Sequence, residues 1–224
     1  MRAVVVRRFG GPEALELIEV PVPEPGPGQV RIRVEAAAVN PVDAVTRAGV
    51  LTGAGLLAPR ESVGLGWDAA GTVDRVGPGV TGFAAGDRVI GLRDRLDVPL
   101  GAYAEHLVLD AAALAPAPAG VPLDRAATLP LNGLTALQAL DLLGLPAGST
   151  LLVTGAAGGV GDLAVQLAVL RGLKVVAVAG PEDAARAEKS GATWFVPRDA
   201  ADLAAEVRAL VPSANSTEPS AASS

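Results

Sequence analysis

The chain has 224 residues, half of them hydrophobic, enough for one large or two small domains with a real core. The formal net charge is -6 with no basic run, which disfavours nucleic acid and anionic membranes as partners. Cysteine is absent, so disulfides and thiolate metal sites are excluded. The apolar stretch near the start is only Ala3–Val6, too short for a signal peptide core, and no run approaches the roughly 20 apolar residues of a spanning helix. The reading is a soluble, cytoplasmic protein.

The first half reads as short strands separated by Gly/Pro turns. Ala3–Arg7 and Leu15–Val20 are β-rich, and Pro21–Gly28 is a turn. In Gln29–Glu35, apolar Val30, Ile32 and Val34 alternate with Arg31, Arg33 and Glu35, the period of a half-buried strand. Gly71–Val76, Asp87–Gly91 and Tyr103–Leu109 continue the series. The expected product is an antiparallel barrel spanning 1–115. Ala115–Pro122 is rich in Pro and Ala and reads as a linker.

From there the pattern alternates strand and helix. Asp124 starts a helix, Thr135–Leu143 is apolar at helical spacing, and Gly144 with Pro146 stops it. Thr150–Val153, Lys174–Val178 and Trp194–Val196 are strands. Leu163–Leu170, Glu182–Ser190 and Ala200–Leu210 are helices. This order predicts βαβαβ and a parallel sheet over 123–211. Residues 212–224, dominated by Ser and Ala, have almost nothing to bury and are expected to be disordered.

The sharpest local feature is Thr154-Gly155-Ala156-Ala157-Gly158-Gly159-Val160-Gly161, placed after a buried strand and at the start of a helix. Its glycines suit a tight turn, close backbone approach to a pyrophosphate, and close helix–strand packing, with helix N–H groups facing the phosphates. A plain structural turn is the bland alternative. The end of the second strand reads Val178-Ala179-Gly180-Pro181, without the acid that would hold ribose hydroxyls. Arg186 and Lys189 are candidate partners for a 2′-phosphate, or simply part of a solvated helix face.

The glycine turn also fits the short-chain dehydrogenase pattern. That reading fails because the only tyrosine, Tyr103, lies upstream and Leu107 stands where a lysine is needed. The order of the chain instead resembles the medium-chain dehydrogenase/reductase family, over nearly all of residues 1–211. Asn40-Pro41-Val42-Asp43, Gly66-Trp67-Asp68-Ala69-Ala70-Gly71-Thr72-Val73, Gly86-Asp87-Arg88-Val89 and Gly101-Ala102-Tyr103-Ala104-Glu105 match its segments in order. Leu129-Pro130 with Gly133-Leu134-Thr135-Ala136 follows. The turn with Gln166 resembles the quinone-oxidoreductase signature, although Val169 departs from it.

The resemblance implies an N-terminal GroES-like β-barrel followed by a Rossmann domain, here an incomplete one. Asn40 and Trp67 occupy positions where zinc-dependent members have ligands, so it implies a zinc-independent enzyme, with His106 structural. It implies NADPH, less firmly NADH, delivering hydride to a quinone or activated alkene. Asn40 would lie near nicotinamide or substrate, and Thr135 at the nicotinamide end. Ala157, Gly158, Gly159, Val160 and Gly161 would hold the pyrophosphate, and Gly180 would border the adenosine ribose. No catalytic residue is assigned, since residues 46–60 lack the tyrosine that several members carry. The alternatives are a nucleotide-binding sensor without turnover and an enoyl-reductase module of a larger synthase. After Leu210 the expected fourth strand is replaced by Ser213-Ala214-Asn215-Ser216. The expectation is therefore a chain cut short, weak in turnover and prone to self-association.

Overall fold

The computed structural model describes residues 1–95 and 98–211. The expected disorder of 212–224 lies outside the described residues. The chain divides into two compact units, Met1–Leu131 and the part from Asn132 onward.

The first unit contains β1 (Arg2–Val6), β2 (Leu15–Glu19), β3 (Gln29–Ala36), α1 (Pro41–Arg47), α2 (Val50–Gly53), β4 (Val63–Gly64), β5 (Asp68–Val76), β6 (Arg88–Leu92), β7 (His106–Asp110), β8 (Leu114–Pro116) and α3 (Leu123–Ala126). The strands form two antiparallel sheets, ordered β2-β1-β4 and β7-β3-β5-β6-β8. A bridge from Ala3 to Ala104 ties β1 to the residues leading into β7. Val30 and Ile32 of β3 pack with Ala69, Val73, Val89, Leu107 and Leu109.

The alternation in β3 holds for Val30 and Ile32 and fails at Arg31, which is buried. Its register with β5 explains why. Arg31 pairs with Arg75 and Ile32 with Val73, leaving Asp74 as the extra residue of a bulge. Asp74 accepts from the Arg31 Nε at 2.9 Å, while Nη1 donates to the Pro23 carbonyl at 3.0 Å and to Glu24 at 3.1 Å. A buried guanidinium is tolerated because its donors are met.

One further expectation is corrected in this unit. Part of the expected linker is β8, which pairs Leu114 with Gly91 and Pro116 with Val89. Pro116 is acceptable there because β8 is an edge strand and the residue closes it. Helix α1 starts on local signals. Pro41 sits in its first turn, where its missing N–H costs nothing, and the Asp43 carboxylate accepts from the Asn40 N–H at 2.8 Å.

The helical stretch expected from Asp124 is two helices, α3 and then α4 (Pro130–Leu143), which includes the apolar run Thr135–Leu143, crosses the boundary between units and again has proline in the first turn. The second unit continues with β9 (Thr150–Thr154), α5 (Gly159–Leu170), β10 (Lys174–Ala179), α6 (Ala184–Lys189), β11 (Trp194–Pro197) and α7 (Leu203–Leu210). A 3₁₀ turn, Pro181–Asp183, precedes α6. The sheet is parallel with order β11-β10-β9, the 3-2-1 half of a doubly wound sheet. Its centre is β10, buried from Val175 to Ala179. Val175, Ala177 and Ala179 pack in one cluster with Val165 and Ala168 of α5 and Ala187 of α6. Val176 and Val178 pack in another, with Val196, Leu203 and Val207. A strand covered on both faces explains why Lys174–Val178 carries no alternation.

Candidate functional site

At the end of β9 the chain turns on Gly155, whose φ of 63° is left-handed and suits glycine. The Ala156 N–H donates to the Val178 carbonyl at 3.0 Å, docking the turn on β10. The Gly158 N–H closes it onto the Gly155 carbonyl at 2.9 Å. Gly158, extended at φ -78° and ψ 172°, caps α5, so Gly159, Val160 and Gly161 form the helix's first turn. A Cβ on Gly161 would stand 2.1 Å from the Gly155 carbonyl oxygen. The last glycine is therefore what lets helix and turn approach. The first-turn N–H groups of α5 have no partner within the helix, and the helix dipole adds partial positive charge.

This turn opens on a cavity of about 510 Å³ lined by Thr154, Gly155, Ala157, Gly158, Val178, Ala179, Asp183, Arg198 and Leu203. Of the predicted residues, Ala157 and Gly158 line it directly. Gly159, Val160 and Gly161 follow in the helix, and Gly180 follows Ala179, the last residue of β10 and a lining residue of the cavity. Asp183, Arg198 and Leu203 escaped the sequence reading. The available signal for Arg198 was a basic residue immediately after the third strand. Gly180 is covered by a neighbour: a Cβ there would lie 2.3 Å from a Glu182 carboxylate oxygen.

Arg186 and Lys189 belong elsewhere. They line a second cavity, with Asp162, Gln166, Ala185 and Ser190. Arg186 donates to Asp162 at 3.3 Å, and the Ser190 hydroxyl donates to the same carboxylate. Thr135 is exposed on α4.

Asn40 lies in the first unit and is buried. Its Nδ2 donates to Asp68 Oδ2 at 2.7 Å, and the Leu131 N–H donates to Asp68 Oδ1 at 2.7 Å. Burial pushes the Asp68 carboxyl above its ordinary value, and nearby Asp43 adds to this. The two donors oppose the shift. Asp43 also accepts from the Gly66 N–H at 2.9 Å. Gly66, at φ 94°, leaves room for the Tyr103 ring, which a Cβ would meet at 2.5 Å. The Tyr103 hydroxyl donates to the Ala38 carbonyl at 3.1 Å, and burial first, then Asp43, pushes its pKa far up. Tyr103 thus stays protonated and holds the corner together. His106 lies on β7 with Nε2 3.5 Å from Asp74.

Comparison with known proteins agrees with this architecture. The alcohol dehydrogenase GroES-like domain matches residues 26–119. A quinone oxidoreductase of Pseudomonas aeruginosa is 40% identical over 186 residues, 82% of this chain and 54% of that protein. Among solved structures, an NAD-dependent alcohol dehydrogenase is 41% identical with a TM-score of 0.85, covering 94% of this chain and 67% of that one. A mycobacterial protein solved with NADPH is 35% identical with a TM-score of 0.74, covering 88% and 58% respectively. The chain spans about half the length of the curated relatives it matches.

A GroES-like unit followed in the chain by a parallel sheet with this glycine turn is the domain order of the alcohol dehydrogenase-like proteins it matches. The chain belongs to the medium-chain dehydrogenase/reductase family, among its quinone oxidoreductase-like members.

Proposed function

We propose that this protein reduces a quinone or an activated alkene by hydride transfer from NADPH, without metal. The observation that carries the reading is the Gly155–Gly161 turn, which opens on a cavity large enough for part of a dinucleotide. A bound dinucleotide supplies the hydride; the protein supplies position and exclusion of water. The α5 N-terminus, with Ala157 to Gly161, holds the pyrophosphate, and Gly180 borders the adenosine ribose. Thr135 at the nicotinamide end and Asn40 near nicotinamide or substrate enter on the family resemblance. The choice of NADPH is supported by the mycobacterial relative solved with it. The decisive experiment is oxidation of NADPH by the purified protein with a simple benzoquinone, run beside a binding titration. Binding without oxidation would leave a nucleotide sensor and refute the reductase.

Metal independence has its own test. Asn40 spends its amide on Asp68, and the chain has no cysteine. Elemental analysis of purified protein is expected to find far less than one zinc per chain, and stoichiometric zinc would overturn the assignment.

Self-association completes the proposal. Among the described residues β9 is a sheet edge, and Leu152 on it is 45% exposed. Light scattering across a tenfold concentration range should show mass rising above that of one chain. A constant monomer mass would refute it.

Among the described residues no helix is long and apolar enough to cross a membrane.

A further inference from the structure

We propose that β9 pairs antiparallel with β9 of a second copy of this chain, joining the two parallel sheets into one across a twofold axis at Leu152. The inference rests on the self-association proposed above, and it names the seam, its register and the size of the assembly.

The backbone of β9 is set for this pairing. The Lys174 N–H donates to the Ser149 carbonyl at 2.9 Å, and Thr150 stands opposite Lys174 in the parallel register. Successive residues of a strand direct their N–H and C=O groups to alternate sides. Leu151 and Val153 therefore turn theirs toward β10, whereas Thr150, Leu152 and Thr154 turn theirs to the other side. Among the described residues no strand takes these groups up. An antiparallel copy centred on Leu152 sets Leu152 opposite Leu152 and Thr150 opposite Thr154. Each of these is a hydrogen-bonded pair, so the groups left open on one copy are met by those of the other.

The side chains fit the same operation. Thr-Leu-Leu-Val-Thr has nearly the same pattern in both directions, so threonine meets threonine at each end and Leu151 meets Val153. Leu152 shares a sheet face with Val176, its partner on β10. On that face Leu203 and Val207 of α7 pack against Val176 and Val178, yet Leu152 remains 45% exposed. Across the axis the two Leu152 side chains come within contact range and cover one another. Strand edges are commonly guarded by lysine or proline, and β9 has neither. It carries no charged side chain at all, so the net charge of -6 is not set against itself along the seam. The opposite edge, β11, is four residues long and ends on Pro197. Because one strand serves both copies, the contact is closed and assembly stops at two chains.

The test is sedimentation velocity of wild type, Leu152→Lys, Leu152→Glu and an equimolar mixture of the two variants. Wild type should plateau at twice the mass of one chain. Each variant alone sets like charges against each other across the axis and should weaken the dimer by at least roughly tenfold. The mixture sets opposite charges together and should recover the dimer, which requires that residue 152 meet its own copy. Leu152→Cys gives a second reading that tolerates the fold better. The chain has no cysteine of its own, and a hydrogen-bonded antiparallel pair holds its Cα atoms about 5.5 Å apart, within disulfide range. Mild oxidation should therefore link Leu152→Cys into a covalent dimer. A wild-type dimer that both charged variants leave intact, or that Leu152→Cys does not link, overturns the seam while self-association stands. Mass climbing past two chains overturns the closed pairing. A wild-type mass of one chain at every concentration refutes self-association itself, and the seam with it.

Discussion

Asp68→Ala is expected to destabilise the first unit by about 3 kcal/mol, a fall in Tm of roughly 10 °C for a unit of this size. Asp68 is fully buried, and its two oxygens accept from Asn40 Nδ2 and the Leu131 N–H, each at 2.7 Å. Alanine would leave the Asn40 amide and the Leu131 N–H without this acceptor, and each buried orphan costs about 1–3 kcal/mol. Relief of the buried charge offsets part of the loss, because burial already pushes the Asp68 carboxyl above 3.8. That shift has a sign in pH. Just above 3.8 the folded protein keeps a proton that the unfolded chain releases, so the Asp68 contribution declines as pH rises through its raised folded value. Urea unfolding followed by Trp67 in a Trp194→Phe background, at several pH values, measures both effects. Asp68→Asn should lose the pH-dependent component. A cost for Asp68→Ala below about 1 kcal/mol would mean that the corner is not held by these bonds.

What could be read from sequence was what depends on near neighbours along the chain. The glycine turn is such a case: Gly155, Gly158 and Gly161 act on one another, and spacing alone locates them. The three parallel strands were placed by their apolar runs and the helices between them. Long-range partners were invisible. Arg31 looked outward by alternation, yet Asp74, 43 residues away, draws it inside. The Asn40 amide donates to Asp68, 28 residues away, a pairing that no local pattern shows. Ala115 and Pro116 read as linker by composition, because only pairing with β6 makes them part of a strand. Arg198 reaches the cavity through the parallel register that sets Pro197 beside Ala179. Helix α1 is different, since its capping residues Pro41 and Asp43 lie within three residues of its start.

Gly161→Val and Gly158→Val should fail in different ways, three residues apart. At Gly161 a Cβ would meet the Gly155 carbonyl oxygen at 2.1 Å and the Ala156 Cα at 2.9 Å, both backbone atoms that cannot rotate aside. Valine there must push α5 away from the turn and from its packing on Val175 and Ala177. Overpacking of this kind costs about 1–3 kcal/mol and sometimes more, so a lower Tm for the second unit, followed through Trp194, is expected. At Gly158 the same Cβ meets only the Gly155 oxygen, at 3.2 Å, and the backbone is extended with no left-handed strain. The fold should therefore tolerate valine there within about 1 kcal/mol, since small local adjustments cost little. The residue lines the cavity at the N-terminus of α5, where a branched side chain would fill the space a pyrophosphate needs. Gly158→Val should unfold nearly as wild type does and lose cofactor affinity by at least about a hundredfold, near the whole of one phosphate's charge-assisted bonds. Thermal melts beside NADPH titrations of both proteins make the comparison. A folded Gly158→Val that binds NADPH like wild type would show that the turn holds the helix to the sheet and nothing more.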